Sequence, residues 1–207
     1  METDPLVLGS GRGKLTLALD KGVCALAETG RAVAFGEGGE ARSSGLAVVF
    51  GSGSTAEAGV AVGLDGSQMT AVGQMLAAAL GYQSNAAAHE VAFAWNVLSQ
   101  ARAGKIAIAA GKSGVADGLI AIAVGEEGVA VAREGGTIAI AFYDQHPGHW
   151  QSAHGCDPTW IDGDTFLAGL QVGRVGENGI QPNHKYTLDR FGRFRDLGPA
   201  EQPNPYL

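Results

Sequence analysis

The chain has 207 residues, 45% of them hydrophobic and 17% charged, with 33 glycines, two cysteines and a formal net charge of −7. That apolar content suits a packed core in one sizeable domain or two small ones, which excludes a disordered chain, and the acidic balance excludes a basic field for a nucleic-acid backbone. Two cysteines make no disulfide framework, and no apolar run reaches the roughly 18 to 20 residues of a bilayer span, so the expected setting is a cytoplasm with neither membrane nor nucleic acid as partner.

Residues 1–12 read as a lead-in. "GSGRGK" has the glycines of a phosphate loop but lacks its full spacing, the following Ser or Thr and a helix. From Gly13, "GKLTLALDKGVCALAET" reads as a divergent first coil, with Cys24 as a small buried strand residue. A repeat then takes over. Alanines stand at Ala41, Ala56, Ala71, Ala86, Ala101 and Ala116, fifteen residues apart, and Ala130 follows after fourteen. Five residues before each stand Gly36, Gly51, Gly66, Gly81, Asn96, Gly111 and Gly125. Glycine, and asparagine at some cost, adopts positive φ, so this array marks a recurrent turn. A second glycine recurs at Gly45, Gly59, Gly73, Gly104 and Gly118, giving each unit two corners.

Between corners the pattern alternates with period two, which is a strand signature. "VAFAW", "IAIAA", "IAIAV" and "IAIAF" place Val91, Phe93 and Trp95, then Ile106 and Ile108, then Ile120 and Ile122, then Ile138, Ile140 and Phe142 in one set of columns, with alanines opposite. At residues 61–65 the order reads as reversed, Val62 and Leu64 falling in the alanine columns. Two strands and two turns in about fifteen residues describe a flattened parallel β-solenoid of eight to nine coils over residues 13–143. The alanine and leucine content of residues 73–90 has high helix propensity, but the register through Gly66, Gly81 and Asn96 argues for coils there too. Which columns face inward is open: inward bulky columns leave flat alanine surfaces outside, and inward alanines leave a thin core with an exposed apolar ridge.

After Tyr143 the composition changes, and a boundary near Asp144 separates a C-terminal β-rich capping module, residues 144–207. Here "TFLAGLQVGRVG" and "HKYTLDRFGRF" read as strands around the turn "ENGIQPN", and "GPAEQPNPYL" as an extended tail. His146, His149, His154 and Cys156 lie close together and form a zinc-competent set, but their spacing matches no common finger or hydrolase. The expected state is a polar loop without cofactor, Trp150 and Trp160 packing on the solenoid end, with zinc as the alternative. Cys156 beside His154 makes no case for a nucleophile, and "DGD" at residues 162–164 reads as a turn.

The Gly-Ala-Ile coils of residues 31–142 resemble the left-handed β-roll repeats in the heads of trimeric autotransporter adhesins. "GTIAIAFYD" followed by "VGRVGENGIQPNHKYTLDRFGRF" resembles the end of an uncharacterised family of bacteria, prophages and phages, whose members carry glycine-alanine repeats and a "VGExGIKPNxWYxLDxxGxF" motif. The second resemblance implies a mobile-element origin, and with it a host bacterial cytoplasm. It assigns no activity. Without catalytic residues, the expected function is that of a binding or inhibitory protein, an antagonist of a bacterial defence complex such as an anti-CRISPR. Phe93, Trp95, Trp150, Trp160, Tyr186, Phe191 and Phe194 are the candidate contact residues. The alternatives are an adhesin-like or tail-associated homo-oligomer, dimer or trimer, and a metal-dependent enzyme seated in residues 144–165.

Overall fold

The structure, a computed structural model, describes residues 6–8, 15–144, 159–162, 165–189 and 191–201. Among them there is no helix, and hence none long and apolar enough to cross a membrane. The chain is a parallel β-solenoid in which every coil lays one strand on each of two walls. β1 (Leu6–Leu8) runs antiparallel to β2 (Leu15–Ala18), which starts wall A. Wall A continues in parallel through β4 (Arg31–Phe35), β6 (Leu46–Phe50), β7 (Thr55–Ser67) and β8 (Thr70–Tyr82). It ends with β10 (Val91–Trp95), β12 (Ile106–Ala110), β14 (Ile120–Val124) and β16 (Thr137–Asp144). Wall B comprises β3 (Cys24–Ala27), β5 (Glu40–Ser43), the first halves of β7 and β8, β9 (Asn85–Ala88), β11 (Gln100–Ala103), β13 (Val115–Asp117) and β15 (Val129–Val131). β7 and β8 turn the corner as continuous strands and serve both walls. The helix propensity of residues 73–90 is overridden because each rung finds its backbone partners ready-made on the rung before.

The alanines face inward. Ala32, Ala47, Ala61, Ala77, Ala92, Ala107 and Ala121 on wall A, and their counterparts on wall B from Ala25 to Ala130, are buried. Methyl groups, in place of longer side chains, fill the space between the walls. The fit is tight: a methyl added at Gly39, Gly114 or Gly118 would lie 3.3, 3.3 or 3.1 Å from the Cβ of Ala34, Ala109 or Ala107. Met69 is the large exception, fully buried at a position that holds Ser54, Ser84 and Ser99 in other coils. Gly63 and Gly81 make room for it, since a Cβ on Gly81 would lie 2.7 Å from its terminal methyl.

At the corner after wall A, φ is 115° at Gly36 and Gly51, 103° at Asn96, 126° at Gly111 and 129° at Gly125. Asn96 accepts a hydrogen bond from the Val97 N–H at 2.7 Å through its own Oδ1. Gly66 and Gly81 are not in this region; there the coil bends through a bulge, and the glycine admits close approach of the previous rung's backbone. Two residues further on, a left-handed residue recurs in every coil, at Gly38, Gly53, Gln68, Gln83, Leu98, Ser113 and Glu127, with φ between 53° and 70°. Ser54 and Ser99 close the corner from inside, donating to the carbonyls of Gly36 and Gly81 at 3.0 and 3.2 Å.

Two expectations about columns are corrected. Val62 and Leu64 do not enter the alanine columns: the step from Leu46 to its partner Val60 is one residue short, so Val62 pairs with Val48 and Leu64 with Phe50, all outward. Conversely, Ile138 and Ile140 leave the outer columns. Thr137 pairs with Ile120, which turns both isoleucines inward and sets Ala139 and Ala141 outward. The reason is the end of the stack. Here the core widens to meet Val175, Ile180, Tyr186 and Phe194, and methyl groups could not fill it.

Antiparallel strands cover both walls at this end. β17 (Thr159–Asp162) and β18 (Thr165–Arg174) extend wall A from β16, while β19 (His184–Leu188) and β20 (Phe194–Pro199) extend wall B from β15. "HKYTLDRFGRF" is therefore two strands, separated by a turn in which Asp189 Oδ1 accepts the N–H groups of Phe191 and Arg193 at 2.8 and 2.9 Å. Thr187 Oγ1 donates to Gly128 O at 2.9 Å and fastens this hairpin to the last corner.

Candidate contact surface

The two walls share one backbone plan and differ outside. Wall B is mixed and carries most of the polar groups: Arg42 lies 3.4 Å from Glu40 and 3.6 Å from Glu57, and Thr55, Thr70, Asn85 and Gln100 follow in one column before Val115 and Val129, while Leu26 and Val72 share the column of Arg42. Cys24 heads the column of Thr55 and is half-buried rather than enclosed. Burial and the neighbouring Glu40 carboxylate push its thiol pKa up, and its Sγ lies 3.8 Å from Glu40 Oε2.

Wall A presents three outward columns from β4 to β16. The first runs from Arg31 to Thr137, the second from Val33 to Ala139 and the third from Phe35 to Ala141. Arg31 is the one charged and Thr137 the one other polar residue in these columns; every remaining position is Ala, Val, Leu, Ile, Phe or Trp. Trp95 is 56% exposed, Ile120 39% and Phe35 38%. Aromatic residues meet on this face: between rungs Phe35 stacks on Phe50 with centroids 4.6 Å apart and planes 4° from parallel, and along β10 Phe93 lies 6.2 Å from Trp95. Charged groups sit at the margins, where Lys105 pairs with Glu90 at 2.8 Å and Lys112 with Glu126 at 3.0 Å. On β18, Val172 and Leu170 lie beside Ala139 and Ala141 and are 61% and 49% exposed, so the apolar face continues past the last coil. An exposed apolar strip with charged groups at its margins is the kind of surface that marks an interaction site.

The candidate contact residues fall into separate places. Phe93 and Trp95 are on the outer face of wall A. Trp160 lies in β17; Trp150, His146, His149, His154 and Cys156 lie outside the described residues. Tyr186 is inside the cap, 3% exposed and edge-on to half-buried Phe194 with centroids 6.2 Å apart. Phe191 is exposed, with the Arg193 guanidinium 5.8 Å from its ring centre. The glycine turns lie at the corners described above.

The motif "VGENGIQPN" with "YTLDRFGRF" builds the cap. Gly176 and Gly179, with Asn178 and Asn183, take positive φ, Val175 and Ile180 enter the core, and the Tyr186 hydroxyl accepts the Gln181 N–H at 2.8 Å. Asp196 joins this group, 2.9 Å from His184 Nδ1 and accepting the Gly198 N–H at 2.7 Å. Partial burial works against its charge, yet the hydrogen bonds from Gly198, His184 and the Tyr186 hydroxyl, with the attraction of His184, outweigh it and hold the carboxyl below its ordinary pKa. Burial, with Asp196 nearby, pushes the Tyr186 phenol up. A cleft of about 340 Å³ opens where the last corner meets β19 and β20, with Ile140 and Leu188 inside and Glu126, Glu127 and Arg195 among its lining residues. Among the described residues no group of three or more His, Cys, Asp or Glu side chains could hold a metal ion.

No protein-family model, curated protein or solved structure matches the chain.

Proposed function

We propose that this chain is a protein-binding solenoid whose working surface is the outer face of wall A. The carrying observation is the contrast between the walls: the same coils put ion pairs and most of the polar groups on wall B and an apolar strip with a single charge on wall A. Burying a face that carries almost no charge costs little desolvation of polar groups, and its exposed aromatics have the character of binding hot spots. Such a surface suits a protein of mobile-element origin that works by contact, and antagonism of a host defence complex is the role that the C-terminal resemblance favours.

The test is capture by the immobilised chain, offered both a bacterial lysate and the same chain in free form. Phe93→Glu on wall A should abolish the capture and Arg102→Glu on wall B should leave it intact. A captured set unchanged by Phe93→Glu would sink the reading.

A further inference from the structure

Resting on that reading, we propose that the occupant of wall A is a second copy of this chain, packed face to face with its long axis reversed. The two-fold axis runs along the strands between the rungs of β8 and β10. An axis so placed keeps each column against itself and inverts the rung order, so the copy's β10 faces β8, its β12 faces β7, its β14 faces β6 and its β16 faces β4.

The four outward alanines of the second and third columns then each face a larger side chain, as interdigitating faces require, and the other pairs set Val, Leu, Ile, Phe or Trp against one another. Phe93 faces Ala78, Leu64 faces Ala110, and Phe35 faces Ala141; Ala110 and Ala141 are the buried dips of their column. Trp95 meets Leu80 next to the axis, where interface energy concentrates. Arg31, the one charge of these columns between β4 and β16, meets Thr137 at the rim. One rung further out, Val172 and Leu170 of β18 meet Leu17 and the exposed Leu19, and Arg174 ends the first column opposite Leu15. The two neighbouring placements fit less well: half a rung toward β10 sets Phe93 on Phe93 and Trp95 on Trp95, and half a rung toward β7 sets Ala78 on Ala78 and leaves a void.

The eight rungs from β4 to β16, at about 4.8 Å each, cover roughly 38 Å, and three columns with their side chains are about 18 Å wide. The product, roughly 700 Å² per copy before the outer rungs are added, approaches the ~800 Å² per partner of a stable interface. The pairing is isologous and closes on itself, so it stops at the dimer.

Light scattering over a dilution series tests it. The wild-type chain should have twice its 21.1 kDa mass. Ala78→Phe, which drives a ring into Phe93 of the copy, and Phe93→Ala, which empties the contact, should each raise the dissociation constant about tenfold or more. The double variant, which exchanges knob and hole, should return to within about threefold of wild type. A short bismaleimide should link copies of Val62→Cys/Ile108→Cys and leave either single variant at the wild-type background, all variants first matched to wild type by circular dichroism. A monomer at every concentration, a trimer, a dimer indifferent to position 93, or linking by one cysteine variant alone would each overturn the proposal. A monomer whose lysate capture still depends on Phe93 overturns the second copy and leaves the contact surface standing.

Discussion

Ala86 and Ala87 are neighbours in β9, identical in chemistry and opposite in fate: Ala86 is enclosed between the walls and Ala87 is partly exposed on wall B. Leucine at either position adds three carbons and nearly the same strand propensity. On the outer face those carbons lie against Val72 and Arg102 of the adjoining rungs, and the change should stay within about 0.5 kcal/mol. In the core there is no space for them. Even at the corners, a single methyl added to Gly114 or Gly118 would stand 3.3 or 3.1 Å from the Cβ of an inward alanine, so Ala86→Leu between the walls must wedge them apart over several rungs. Overpacking of this kind costs about 1–3 kcal/mol, and at about 2–4 °C per kcal/mol for a chain of this length the midpoint should fall by roughly 2–12 °C. Thermal melts followed by far-ultraviolet circular dichroism decide it, and position 87 keeps the comparison clear of wall A. If Ala86→Leu melts with wild type, or Ala87→Leu suffers the larger loss, the assignment of alanine to the interior is wrong.

Other expectations concern single residues. Leu98 holds φ 57° at a corner tip where L-residues pay about 1–2 kcal/mol, so Leu98→Asn should raise the melting midpoint by a few degrees, read by the same melts. Asp196 has a depressed pKa in the folded chain, so its contribution is complete above the ordinary aspartate value of about 3.9 and fades as pH falls through the lower folded value. Asp196→Asn should therefore lower the midpoint at neutral pH, and the difference from wild type should close in strong acid; a constant difference at every pH would refute it. Cys24, its thiol pushed up by burial and Glu40, should alkylate more slowly at pH 8 than a free cysteine, and Glu40→Gln should speed the reaction, as followed by mass spectrometry.

The coil plan was legible because corners and strands leave separate traces. Gly36, Gly51, Asn96, Gly111 and Gly125 mark one corner in sequence, and the alternation of "IAIAV" marks the strand between. The direction of the side chains was not legible, since an alanine column fits a thin interior or a flat exterior equally well, and only the distance between walls distinguishes them. Phase errors arose at two of the places where the step departs from fifteen. Val62 needed the 14-residue step from Leu46 to Val60 to be seen, and Ile138 needed the cap, whose widened core takes isoleucine where the coils take alanine. The second left-handed column escaped notice because Gln68, Gln83, Leu98, Ser113 and Glu127 have no chemistry in common. The polarity contrast that makes wall A the candidate surface was present in the sequence as bulky columns, but acquired meaning only with the alanines turned in. The C-terminal motif signalled a turn, and it took Tyr186 buried beside Phe194 to place its aromatics inside.

The methyl-lined interior also governs how the molecule answers to temperature. Unfolding such a coil wets little hydrocarbon per residue and much peptide group, and these two kinds of surface change the heat capacity in opposite directions. The heat-capacity increment should therefore fall below the usual ~12–15 cal/mol/K per residue, giving a broad, shallow stability curve. A fold held by ladders more than by oil is one that neither cooling nor moderate warming readily loosens.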